Sequence, residues 1–122
     1  MKYPNILVPI DFSDGSDLAL NHAVDYAKNL GSKIHLLHII QPISYPIGME
    51  IAHYNFNEVE KEMLETSKSN LLELSQKPEN TGVEYEIIVK IGNSSSNEII
   101  DYANSNKVDL ICIATHGSSG LE

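Results

Sequence analysis

The chain alternates short apolar runs with stretches in which apolar residues return every three or four positions. The first run, Ile6-Leu7-Val8 with Pro9-Ile10, is bounded by turn residues and predicts a strand over roughly 5–10, buried on both faces. Leu20, Ala23, Val24, Ala27 and Leu30 then share one face of a helix over roughly 17–30. Ser13, Asp14 and Ser16 are cap-forming types ahead of that helix, and Gly31 stands where it should end. Lys33–Ile40 is a near-continuous apolar run, as expected of a central parallel strand. The stretch 42–56 holds Pro46, Gly48 and three aromatics with no period, so it is expected to be a long connection, functional or mobile.

A second helix follows over roughly 57–76, its buried stripe traced by Val59, Met63, Thr66, Leu71 and Leu74. The acidic region 58–73 reads as its solvated face. Strand three covers 83–91, and alternation through Val83, Tyr85 and Ile87 implies burial on one side, hence an edge position. Ser95 and Glu98 have the spacing of a capping box at the start of a third helix, with Ile99, Ile100 and Ala103 as its inner face. A fourth strand covers 108–114. Strict alternation of strands and helices predicts a parallel sheet with helices on both faces and right-handed crossovers.

That architecture makes the turn after strand one the first place to look for a site. Ligands of open parallel sheets lie beyond the carboxyl ends of the strands, and Asp11 is there. The formal net charge of −9 speaks against nucleic acid or an anionic membrane as a partner. It leaves room for a nucleotide, which needs only a local nest of backbone donors. The single cysteine, Cys112, cannot form an internal disulfide; mid-strand, it is expected to be buried and inert. No apolar run approaches 18 residues and no basic-then-apolar leader opens the chain, so a cytoplasmic protein is expected.

His22, His35, His38 and His53 fall on separate elements without metal-ligand spacing and are expected to be structural or solvent-facing. No metal site is expected. His116 has no serine nucleophile elbow and no suitably placed acid with it, so no catalytic residue is assigned.

Several spaced motifs together resemble the universal stress protein family. The opening resembles it in 5–13, Asn-Ile-Leu-Val-Pro-Ile-Asp-Phe-Ser, in Ala19-Leu20 with Ala23, and in Leu36-Leu37-His38-Ile39. Gly92-Asn93, Glu98-Ile99-Ile100 and Val108-Asp109-Leu110-Ile111 resemble its third helix and fourth strand. Thr115-His116-Gly117, followed by Gly120-Leu121, resembles its glycine-rich loop. The resemblance spans essentially the whole chain. It implies a Rossmann-like three-layer α/β sandwich of the adenine nucleotide alpha hydrolase type, sheet order 3-2-1-4, in a single domain. It also implies ATP or a related adenine nucleotide as ligand, with or without Mg2+, at most slow hydrolysis, and a homodimer in the full-length protein.

Two departures stand out. Ala114 replaces the first glycine of the family's loop motif. The Gly-Ser or Gly-Thr that completes that motif, and the family's fifth strand, are absent from the 122 residues, so the chain is expected to be a shortened form.

By the resemblance, Asp11 accepts from a ribose hydroxyl or an adenine amino group, or holds a metal on phosphate. The bland alternative is a turn aspartate. Pro9 and Ile10 would wall one side of the base and Ile39 the other, or simply belong to the core. Ile113 and Ala114 at the end of strand four and His116 just after it would also line the nucleotide site, and Gly117, Ser118 and Gly120 would cradle phosphate, since glycines allow close backbone approach. A Gly-Ser-Ser-Gly segment is equally a plain flexible loop. Three functions therefore stay open: a regulatory domain binding an adenine nucleotide in stress response, a dimeric interaction module without nucleotide, and an enzyme for which only His116 speaks.

Overall fold

The computed structural model describes residues 3–42 and 56–114. Along the chain run β1 (Asn5–Pro9), α1 (Asp14–Leu30), β2 (Lys33–Ile40), α2 (Phe56–Ser75), a short 3-10 turn (Pro78–Asn80), β3 (Glu84–Ile91), α3 (Ser95–Ser105) and β4 (Leu110–Ile111). The described strands form one sheet in the order β3-β2-β1-β4, with every neighbouring pair parallel. Both the expected order and the edge position of β3 are observed.

Alternation of side chains along each strand divides the core in two. Ile6, Val8 and Ile10 of the first strand segment and Ile34 and Leu36 of β2 face Leu20, Ala23, Val24 and Ala27 of α1 and Leu71 and Leu74 of α2. Leu7 and Leu37 point the other way, to Tyr102, Ile99 and Ala103 of α3. Helices α1 and α2 link strands that step in one direction across the sheet, whereas α3 carries the chain from one edge, β3, to the other. Right-handed crossovers therefore put α3 on the opposite face.

Helix α1 starts three residues earlier than its apolar period indicates. Ser13 is extended, with φ −84° and ψ 163°, and its hydroxyl accepts from the Ser16 N–H at 3.2 Å. Asp14 and Asp17 then fall in the first turn, where the helix dipole favours negative charge. Gly31 closes the helix in the left-handed region, φ 72°, donating to the Ala27 carbonyl at 2.7 Å.

Several sequence expectations are corrected. Leu30, in the last turn of α1, is exposed. In α2 only Leu71 and Leu74 of the proposed stripe are buried; Val59 and Thr66 are exposed. The cap of α3 is Ser94 rather than Ser95: its Oγ accepts from the Asn97 N–H at 3.3 Å. Ile100 is 55 % exposed, and Tyr102 takes the inward position beside Ile99 and Ala103. Strand β4 is shorter than 108–114. The Val108 N–H turns back to the Ala103 carbonyl, and the ladder to β1 runs only from Asp109 N–H on Asn5 to Cys112 N–H on Leu7, each 2.9 Å.

Beneath α3 lies a buried polar chain. The imidazole of His35, 4 % exposed, stands 3.0 Å from Asn5 Oδ1 through Nε2 and 2.7 Å from the Tyr102 hydroxyl through Nδ1. An amide oxygen only accepts, so Nε2 carries the proton and Nδ1 accepts from the Tyr102 hydroxyl. Burial holds this imidazole below its ordinary value of 6.5. The unfolded chain therefore takes up a proton at higher pH than the folded one, and stability, full above about pH 6.5, falls as the pH drops from there towards the folded value. Urea midpoints should thus decline between about pH 7.5 and about pH 5.5, where carboxylates still contribute little. His35→Gln should flatten that decline; an equally steep one in the variant would assign it to another group.

Candidate functional site

At the carboxyl end of the sheet the chain leaves β1 for β2 on one side and reaches β4 on the other by crossing over from β3, and a cleft opens between β1 and β4. Pro9, Ile10 and Asp11 line it from β1 and its following turn; Leu37, His38 and Ile39 from β2; Ile113 and Ala114 from beyond β4. Ser16 of α1 and Ser95 and Ile99 of α3 close its sides. The cleft holds about 180 Å³. Small-molecule sites usually measure roughly 300–1,000 Å³, so this part takes a ring system rather than a whole nucleotide.

The walls are predominantly apolar. Pro9, Ile10, Leu37, Ile39, Ile99 and Ile113 surround the space, which suits the faces of a flat heterocycle. Asp11 contributes the charge. Its Oδ1 accepts from the Ser13 N–H at 2.9 Å. Hydrogen bonding from Ser13, through its hydroxyl and then its backbone N–H, holds the carboxyl below the usual carboxylate value. Asp11 is therefore ionised at neutral pH and offers acceptors only. It can pair with hydroxyl or amino hydrogens; against a phosphate it would be repulsive without a bridging cation.

The turn that carries Asp11 is conformationally costly. Phe12 has φ 63°, a left-handed geometry that costs a side-chain-bearing residue on the order of 1–2 kcal/mol. Its ring packs on that of His38, with centroids 4.7 Å apart. Nδ1 of His38 lies 2.7 Å from the Ile10 carbonyl. On the other side, Gly92 ends β3 with its N–H on the Ile40 carbonyl, at 2.9 Å. A Cβ there would meet the Glu98 side chain, Cγ at 2.6 Å, so any larger residue would require Glu98 to swing aside.

Six of the residues singled out from the sequence, Pro9, Ile10, Asp11, Ile39, Ile113 and Ala114, are brought together around this one cleft. His116, Gly117, Ser118 and Gly120 lie outside the described residues. Sequence reasoning did not name Ser16, Leu37, His38, Ser95 or Ile99 as lining residues. Ser95 and Ile99 could have been found: they are four apart, one helical turn, directly after a strand that ends at the same level. His38 had no signal beyond its place near the end of β2. Among the described residues no His, Cys, Asp and Glu side chains cluster in a way that could hold a metal ion. No helix of the described residues is long and apolar enough to cross a membrane.

The model of the universal stress protein family matches residues 2–122. The chain belongs to that family. Among curated relatives, universal stress protein YxiE of Bacillus subtilis is 32 % identical over 129 residues, covering 98 % of this chain and 84 % of its own. Universal stress protein MJ0577 of Methanocaldococcus jannaschii is 25 % identical, covering 100 % of this chain and 82 % of its own. The solved structure of MJ0577 superposes with a TM-score of 0.78 over 100 % of this chain and 81 % of that one. Two more distant members share the fold: one solved in complex with cAMP, at 18 % identity and TM-score 0.57, covers 91 % of this chain and 72 % of its own. The other, from Arabidopsis thaliana with AMP bound, is 17 % identical at TM-score 0.52, covering 93 % and 77 %.

Proposed function

We propose that this universal stress protein binds an adenine nucleotide in the cleft between β1 and β4, as a regulatory domain in stress response. The observation that carries the reading is the pairing of an apolar slot with an ionised, acceptor-only Asp11 at its rim. The base would lie between Ile39 and the Ile10, Ile99 and Ile113 side, and Asp11 would accept from ribose hydroxyls or the exocyclic amine. Family members solved with AMP and with cAMP support the ligand class. Phosphates would extend towards 115–120, whose glycines and serines suit backbone capture of an anion. ATP as the resident nucleotide, a bridging Mg2+ and homodimeric assembly belong to the same reading.

Ala114 favours the competing reading, an interaction module without nucleotide, because its methyl stands where the family resemblance implies a glycine. Calorimetry with AMP separates the two. Saturable binding, with adenosine retaining part of the affinity and uridine monophosphate showing none, is the expected result. Absence of AMP and ATP binding at millimolar concentration would leave the interaction module.

A further inference from the structure

His38 has no assigned role, yet it touches both ends of the segment that presents Asp11. Its Nδ1 stands 2.7 Å from the Ile10 carbonyl, one residue before Asp11. Its ring lies against Phe12, one residue after it. A carbonyl can only accept, so Nδ1 must carry the proton and donate. The neighbouring histidine of β2 has the opposite arrangement, since the Nδ1 of His35 accepts. Between the two His38 contacts the backbone passes through the left-handed conformation of Phe12. Such a conformation persists only where surrounding contacts over-determine it. Asp17 N–H on the Ser13 carbonyl, at 3.1 Å, ties the far side of the turn to α1. The near side leans on β2, through His38 and through the Ile10 N–H on the Leu37 carbonyl at 2.8 Å.

We propose that His38 is a positioning residue for the cleft: its Nδ1–H bond to Ile10 holds the left-handed turn that aims Asp11 at the ligand, and the ring contact with Phe12 adds little beyond that bond. His38 does not supply the recognition itself; it acts through the carboxylate next to its acceptor. The effect on affinity rests on the nucleotide reading above, but the effect on the turn does not.

The test therefore has three readouts on the full chain: the tautomer, amide exchange and AMP affinity. Nitrogen-15 spectra of wild-type protein should show His38 protonated at Nδ1 in its neutral form; protonation at Nε2 would overturn the proposal without any variant. His38→Phe keeps a ring against Phe12 and removes the donor. His38→Asn places an amide N–H close to the position of Nδ1. In His38→Phe the Ser13 and Ser16 amides, bonded to Asp11 and to the Ser13 hydroxyl, should exchange about tenfold faster, with AMP binding about tenfold weaker. His38→Asn should recover both to within about threefold of wild type. Wild-type behaviour in His38→Phe, or equal loss in both variants, would overturn the proposal. If wild-type protein binds no AMP, the nucleotide reading falls, and the tautomer and amide exchange decide the role of His38 by themselves.

Discussion

Leu36→Ala is expected to lower the unfolding free energy by about 2–5 kcal/mol. Leu36 is fully buried at the middle of β2, between β1 and β3, where its side chain meets both α1 and α2. Truncation removes methyl groups from the core between the sheet and the layer formed by α1 and α2. The surrounding strands are held in register on both sides by backbone bonds and cannot close over the gap. Urea denaturation should show a lower midpoint at an unchanged slope. A loss below about 1 kcal/mol would mean that the helices collapse inward, and the two-layer packing described here would be wrong at its centre.

Asp11→Ala is expected to leave stability nearly untouched and to weaken AMP binding by about tenfold or more, from the loss of about 1.5–3 kcal/mol of charge-assisted hydrogen bonding. The carboxylate is exposed, and its partners among the described residues include the Ser13 hydroxyl and N–H, both of which water can satisfy. Asp11→Asn should lie between wild type and alanine, since the amide keeps one acceptor but loses the charge. Calorimetry of the three proteins at one salt concentration is the measurement. Equal affinity in wild type and alanine would remove Asp11 from the site and confine it to the turn.

Much of this architecture is legible in the sequence because burial on both faces of a strand leaves an unmistakable mark. β2 lies where its apolar run indicates, at Lys33–Ile40, flanked on both sides by other strands. Legibility fades where only part of an element is buried. Ile100 follows Ile99 by a rotation of one residue, which is enough to turn it to solvent, and Tyr102 fills the inner face because its hydroxyl finds His35. Such a pairing of polar groups across separate elements has no local signature. Caps suffer similarly: among three consecutive serines, 94–96, only backbone geometry selects Ser94. The cleft followed from topology, since residues just past β1 and β4 must converge at the switch between them. What α3 and His38 add to its walls depends on the packing angle of a helix and on a left-handed turn at Phe12, neither of which the residue pattern encodes.

Cys112 gives β4 a built-in clock. The residue lies just past the strand and is half-buried rather than buried in mid-strand as its sequence position suggests; its backbone bonds to Leu7 of β1, and its side chain packs against the core shared by α1 and α2. Burial pushes the thiol above its ordinary value, which slows attack on any disulfide reagent while the strand stays docked. Each excursion of β4 away from β1 would restore ordinary thiol reactivity for as long as it lasts. The rate of modification, followed against reagent concentration, then reads how often this margin of the sheet comes loose. Ile113 and Ala114 of the cleft wall are one and two residues further along the same chain, so a bound ligand that steadies the wall should slow the clock.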